Sequence, residues 1–147
     1  MQDRYAGDVG DYIKLALLRA LSPGRRLGVL WYLFPDEGHN NDGKHIDSLR
    51  RASEWRALDP EVFDALCQVA DGERSVERLE SSAVVDATFF RDAIVTDRYP
   101  PVERSQIRSE WFAAAKSAVE GCNLVFADPD NGLVDNSPQR RRRKGFG

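Results

Sequence analysis

Apolar runs along the chain are bounded by turn-forming residues, and their spacing sorts them into helices and strands. Asp11-Tyr-Ile-Lys-Leu-Ala-Leu-Leu-Arg-Ala-Leu21 opens with a capping aspartate and places Ile13, Leu17, Ala20 and Leu21 on one face. It stops before Ser22-Pro23-Gly24, which predicts a helix. Arg26-Leu-Gly-Val-Leu-Trp-Tyr-Leu-Phe34 is apolar at consecutive rather than alternate positions until Pro35, the pattern of a central strand buried on both faces. Ile46 and Leu49 stand at helical spacing within residues 44–52. Asp59-Pro60-Glu61 opens a clearer helix whose Val62, Phe63, Leu66, Val69 and Ala70 face inward until Gly72. Residues 73–100 mix short apolar pairs with charges, and short strands are expected near Ser75–Glu80 or Ala83–Asp86. From Val102 to Glu120 the stripe Ile107, Trp111, Ala114, Ala115 and Ala118 predicts a helix closed by Gly121. A second buried strand, Leu124–Ala127, then empties into Asp128-Pro-Asp-Asn-Gly132.

Helix followed by buried strand is the alternation of an α/β protein, so the expected architecture is Rossmann-like, a mostly parallel sheet flanked by helices. With 147 residues, 41% hydrophobic and 31% charged, the chain suits one domain over residues 1–138 with a basic, flexible tail at 139–147. Only two strands stand out, whereas a doubly wound sheet has about five or six. The chain is therefore expected to be an incomplete domain with an exposed apolar sheet edge through which it associates.

The net charge of −3 gives no global attraction to nucleic acid or anionic membrane, so binding to nucleic acid needs a local patch. Arg140-Arg-Arg-Arg-Lys144 is the one such run. No apolar stretch reaches the length of a membrane span and no leader pattern precedes Tyr5, so the expectation is a cytoplasmic protein without membrane contact. Cys67 and Cys122 lack metal or redox spacing and read as small buried hydrophobes.

Three groups of residues can carry chemistry. Tyr5-Ala-Gly-Asp-Val-Gly-Asp-Tyr-Ile-Lys14 joins two glycines and two carboxylates to a helix start, which suits either a polar ligand or a plain capped helix entrance. Gly38-His-Asn-Asn-Asp-Gly-Lys44 fits a phosphate-binding Gly-x4-Gly-Lys loop, with Asp128 as metal-side partner. However, His45 stands where a Ser or Thr would ligate magnesium, and Asp36 and Glu37 bring negative charge to the phosphates. The third group comprises the acids and imidazoles after both strands: Asp36, Glu37, His39, Asp42, His45, Asp128 and Asp130. These loops converge if the strands are parallel neighbours, and carboxylates so placed can hold Mg²⁺ or Mn²⁺. The same loops also serve as soluble turns.

Ala6-Gly7-Asp8-x-x-Asp11-x-x-Lys14 resembles the Ala-Gly-Asn-x-x-Asp-x-x-Lys opening of the adenine-N6 methyltransferase J family, which modifies 23S ribosomal RNA. Asp128-Pro129 resembles the start of that family's Asp-Pro-Pro-Tyr motif, whose acid and proline carbonyl engage the target amine and whose aromatic ring stacks on the base. The resemblance implies that Gly7 and Asp8 lie near S-adenosylmethionine and Asp128 near the transferred methyl. Asp130 and Asn131 stand in place of Pro-Tyr, and Phe34-Pro-Asp-Glu37 in place of a glycine-rich turn. Across its whole length the chain is also similar to an uncharacterised bacterial and phage family, through Trp31-Tyr-Leu, Asn40-Asn-Asp-Gly-Lys-His45 and Asp128-Pro-Asp-Asn-Gly132.

These readings converge on a methyltransferase-like or nucleotide-binding domain acting on nucleic acid. Its expected catalytic residues are Asp128, Asp130 and Asn131, and Gly7, Asp8, Asp11, Lys14, Asn41 and Lys44 are expected to bind the cofactor, S-adenosylmethionine. The alternative is a phosphoesterase or nuclease that holds Mg²⁺ or Mn²⁺ on Asp36, Asp128 and Asp130. A third reading is a non-catalytic interaction module.

Overall fold

A parallel sheet of three strands organises the described part of the chain. The computed structural model describes residues 1–36 and 45–129. Its helices and strands run α1 (Val9–Leu21), β1 (Leu27–Trp31), α2 (Ala52–Trp55), α3 (Pro60–Ala70), α4 (Val76–Ser81), β2 (Thr88–Phe90), α5 (Pro101–Ala118) and β3 (Leu124–Asp128). 3-10 turns lie at Asp3–Tyr5 and Asp47–Arg50. The strand order is β2-β1-β3, and Leu27 to Trp31 stand opposite Leu124 to Asp128 in register. The two strands read from the sequence are thus adjacent and parallel, and β1 is central and buried at every position.

Side-chain alternation divides the core into two layers. Leu27, Val29 and Trp31 of β1, with Phe89, Leu124 and Phe126, lie under α1, α3 and α4. On the opposite face Leu30 and Phe90 pack against Trp111, Ala115 and Val119. Here Gly28 lets the end of α5 approach: a Cβ at this position would stand 2.8 Å from Val119 Cγ1 and 3.1 Å from Cys122 Sγ. Cys67 and Cys122 are half-buried free thiols.

Several sequence expectations are corrected. The cap of α1 is Asp8, whose side chain accepts from the Asp11 amide, and Asp11 itself is buried within the helix. The buried face of α1 is Asp11, Tyr12, Leu15 and Leu18, whereas Ile13, Leu17 and Leu21 are exposed. Tyr12 draws the helix round: its ring packs edge-on against Trp55 with centroids 5.1 Å apart, and its hydroxyl donates to the Trp55 carbonyl at 2.8 Å. Residues 75–80 form helix rather than strand, because the Ser75 side chain caps the Arg78 amide, and Ala83 at φ 53° turns the chain out of α4. The third strand is Thr88–Phe90, and among the described residues β3 lies at the sheet edge and is half-buried rather than buried. The proposed helix at 44–52 reduces to the 3-10 turn Asp47–Arg50 and the single turn α2. In α5 only Trp111 and Ala115 are buried, while Ala114 and Ala118 face outward. The tail, the Gly38–Lys44 loop and the residues after Pro129 lie outside the described residues.

Among the described residues no helix is long and apolar enough to cross a membrane.

Candidate functional site

The site forms where β1 and β3 end and α1 begins. Gly7 takes a left-handed conformation at φ +87°, which an L side chain rarely adopts, and its backbone turn delivers the chain into α1. The Gly7 amide donates to Asp11 Oδ2 at 2.9 Å, so a carboxylate one helical turn later pins the turn from inside. Asp8 Oδ1 accepts from the Asp11 amide at 3.1 Å, and the Val9 amide donates to the His45 carbonyl at 3.1 Å. The start of α1 thus consumes these amides in capping rather than offering them to a phosphate.

Lys14 connects this turn to β3. Its ammonium donates to Asp11 Oδ1 at 3.2 Å and to Asp128 Oδ2 at 2.9 Å, a contact across 114 residues of sequence. Asp128 reaches this position because β1–β3 register places it level with Trp31, at the carboxyl edge of the sheet and on the α1 face. Burial raises the Asp11 carboxyl to about 6 even though Lys14 opposes the shift. For Lys14, burial would push the ammonium down, but the Asp11 and Asp128 carboxylates together outweigh it and hold it above the ordinary lysine value.

A shallow depression of about 150 Å³ opens over this pair, lined by Met1, Tyr5, Asp8, Gly10, Lys14, Asp128 and Pro129. It is an acid-lined cup, below the size of a pocket that encloses a whole drug-sized ligand, roughly 300–1,000 Å³. A larger hollow of about 310 Å³ lies at the other end of the strands, among Arg25, Arg26, Asp86, Thr88, Gly121 and Cys122. Its two arginines already donate to the carbonyls of Leu21 and Gly121, and α/β chemistry belongs to the carboxyl end.

Of the residues expected from sequence, Gly7, Asp8, Asp11, Lys14 and Asp128 come together. Asp36 sits at the same end of β1 but is exposed and accepts from the Arg4 amide at 3.2 Å. Asn41, Lys44, Asp130 and Asn131 lie outside the described residues, as do Glu37, His39 and Asp42. Among the described residues no group of three or more His, Cys, Asp or Glu side chains is placed to hold a metal ion.

Arg74 is a site residue that the sequence did not signal. Its Nε donates to the Ala6 carbonyl at 2.5 Å, and burial lowers its pKa against the pull of Asp8, Asp11 and Asp36. It therefore stands in the field of the site's acids and supports the turn before Gly7. Nothing in Gly72-Glu-Arg-Ser75 distinguishes it from any loop arginine. Met1 was likewise unmarked, and it enters the wall because its amino group donates to the Tyr32 carbonyl at 2.9 Å.

No protein-family model matches the chain, and neither a curated protein nor a solved structure matches it.

Proposed function

We propose that the chain is a methyltransferase-like α/β domain acting on nucleic acid, whose acidic cup receives the positively charged end of an adenosyl ligand and the amine to be modified. The observation that carries this reading is the Lys14–Asp128 contact. It makes one site of two motifs, Ala6–Lys14 and Asp128-Pro129, that the methyltransferase resemblance also assigns to one site.

The donor set fits the charged part of S-adenosylmethionine. Asp8 and Asp128 line the cup together with the Lys14 ammonium and a shallow wall containing Tyr5, and the two carboxylates would face a sulfonium or ammonium group. When bound, this cofactor supplies an electrophilic methyl group. Asp128 would accept a hydrogen bond from the target amine, and the Pro129 carbonyl would accept a second, as the methyltransferase resemblance implies. Lys14 orients Asp128, while Asp11 holds Lys14 and the Gly7 turn in place. Metal-dependent hydrolysis is less well supported, since Asp128 is bound to an ammonium and Asp36 to a backbone amide, so these carboxylates do not share a focus.

Isothermal titration with S-adenosylmethionine and its demethylated product tests the reading. Binding by the wild type and its loss in Asp8→Ala and Asp128→Ala, with melting curves retained, are the expected results. No heat at millimolar ligand, or binding undiminished in both variants, would remove the proposal. Titration with Mn²⁺ in parallel reports on the hydrolytic alternative.

A further inference from the structure

Among the described residues the outer edge of β3 carries little of the protection usual at sheet edges. Among the described residues β3 pairs only with β1, yet it is apolar on both faces, with Leu124 and Phe126 toward α1 and Val125 and Ala127 on the other side. It carries neither a lysine nor an internal proline to discourage pairing. The Leu124 amide points inward, to the Arg26 carbonyl, so strand alternation turns the backbone groups of Val125 and Ala127 outward. On α1, the helix whose Lys14 reaches Asp128 of β3, Ile13, Leu17 and Leu21 are 60%, 50% and 40% exposed and lie at successive helical turns. Val125, at 45% exposed, adds an apolar side chain on the other face of the same strand.

We infer that this surface pairs with a second copy of the same chain, β3 against β3 in antiparallel fashion about a two-fold axis through Phe126. The pattern is self-complementary in three respects. First, the outward backbone groups of Val125 and Ala127 flank Phe126 symmetrically, so antiparallel pairing sets Val125 of each copy against Ala127 of the other. Second, α1 runs counter to β3, because Lys14 meets Asp128 while the end of α1 leads to Arg25 and Arg26 at the amino end of β1. The midpoint of its stripe, Leu17, therefore lies near the same axis, and Ile13 of one copy faces Leu21 of the other. Third, the amino end of the β1–β3 pair carries exposed Arg25 and Arg26 beside Asp86, and the carboxyl end carries Asp8 and Asp128 beside Lys14. Only the antiparallel arrangement brings the two arginines of each copy to the Asp8–Asp128 end of the other. The resulting sheet of six strands would place Arg25 and Arg26 of the second copy beside the acidic cup.

Sedimentation of the full chain across the micromolar range tests the inference. The wild type is expected to have the mass of a dimer. Leu17→Lys and Val125→Lys, each at a position exposed in the single chain, are expected to halve that mass while leaving the circular dichroism spectrum unchanged. A thiol cross-linker applied in a Cys67→Ala, Cys122→Ala background reads the register. Leu17→Cys should link to itself, and Ile13→Cys should link to Leu21→Cys in mixed samples but not to itself. A monomer at all concentrations overturns the inference, whether or not the amides of Val125 and Ala127 are protected from exchange by another part of the chain. Open-ended association, or a dimer that survives both lysine variants or fails the cross-linking pattern, also overturns it.

Discussion

Gly7, Asp11 and Lys14 form a small relay in which each residue is explained by the next. Gly7 supplies the left-handed turn, Asp11 accepts its amide, and Lys14 makes the buried carboxylate tolerable. A Cβ at Gly7 would meet only ordinary contacts, the nearest being Val69 Cγ1 at 3.5 Å, so conformation rather than space demands glycine. Gly7→Ala is expected to cost about 1–2 kcal/mol in urea unfolding, the left-handed penalty of an L residue. A neutral effect would show that the turn is not needed. Asp11 makes a second prediction through its titration. Its carboxyl rises from 3.8 to about 6 on folding, so the folded chain keeps a proton that the unfolded chain has released. Asp11 thus contributes stability that is fully present below 3.8 and lost as pH rises through about 6, on the order of 3 kcal/mol in all. Asp11→Asn keeps an acceptor for the Gly7 amide but removes the titration. Its stability should therefore fall less steeply than the wild type's across that interval, as read from unfolding midpoints at several pH values. Parallel profiles would contradict the assignment.

Among the elements, those with a local signature were legible in the sequence. β1 is a continuous apolar run. α3 announces itself through Asp59, whose side chain caps the Val62 amide, and Pro60 in the first turn. α1 was legible as a helix but not in its orientation. Its most apolar stripe faces out, and a face containing Asp11 and Tyr12 faces in, because the partners that satisfy them, Gly7 and Trp55, are brought by tertiary structure. β2 has only three residues, too short a run for its alternation to stand out, and so left no pattern to read. The approach of α5 to the sheet yields its own prediction. Gly28→Ala places a methyl group 2.9 Å from Val119 Cβ, so it should destabilise by about 1–3 kcal/mol through overpacking. Val119→Ala in the same chain should recover part of that loss. Failure of the second substitution to recover any would show that the contact does not hold the layers at their spacing.

At the scale of the molecule, the site is a meeting of the first helix with the last described strand. The strand reading placed Asp128 at the carboxyl end of its strand, where it lies beside the Gly7–Lys14 segment. Their joining was not legible, because it depends on β3 lying next to β1 in a register that places Asp128 within reach of Lys14. Arg74 was hidden for the same reason, its role arising only when the loop after α3 folds back on Ala6. Among the described residues the open edge of β3 and the cup are two consequences of one placement, with β3 outermost in the sheet and its carboxyl end held by α1. The most direct measurement of that placement is a double-mutant cycle of Lys14→Met and Asp128→Asn in equilibrium unfolding. The cycle cancels the separate cost of leaving Asp11 without its cation. The account predicts a favourable coupling of about 0.5–1 kcal/mol between the two positions, as for a partly buried ion pair. Strict additivity of the two substitutions would contradict it and would separate the two motifs.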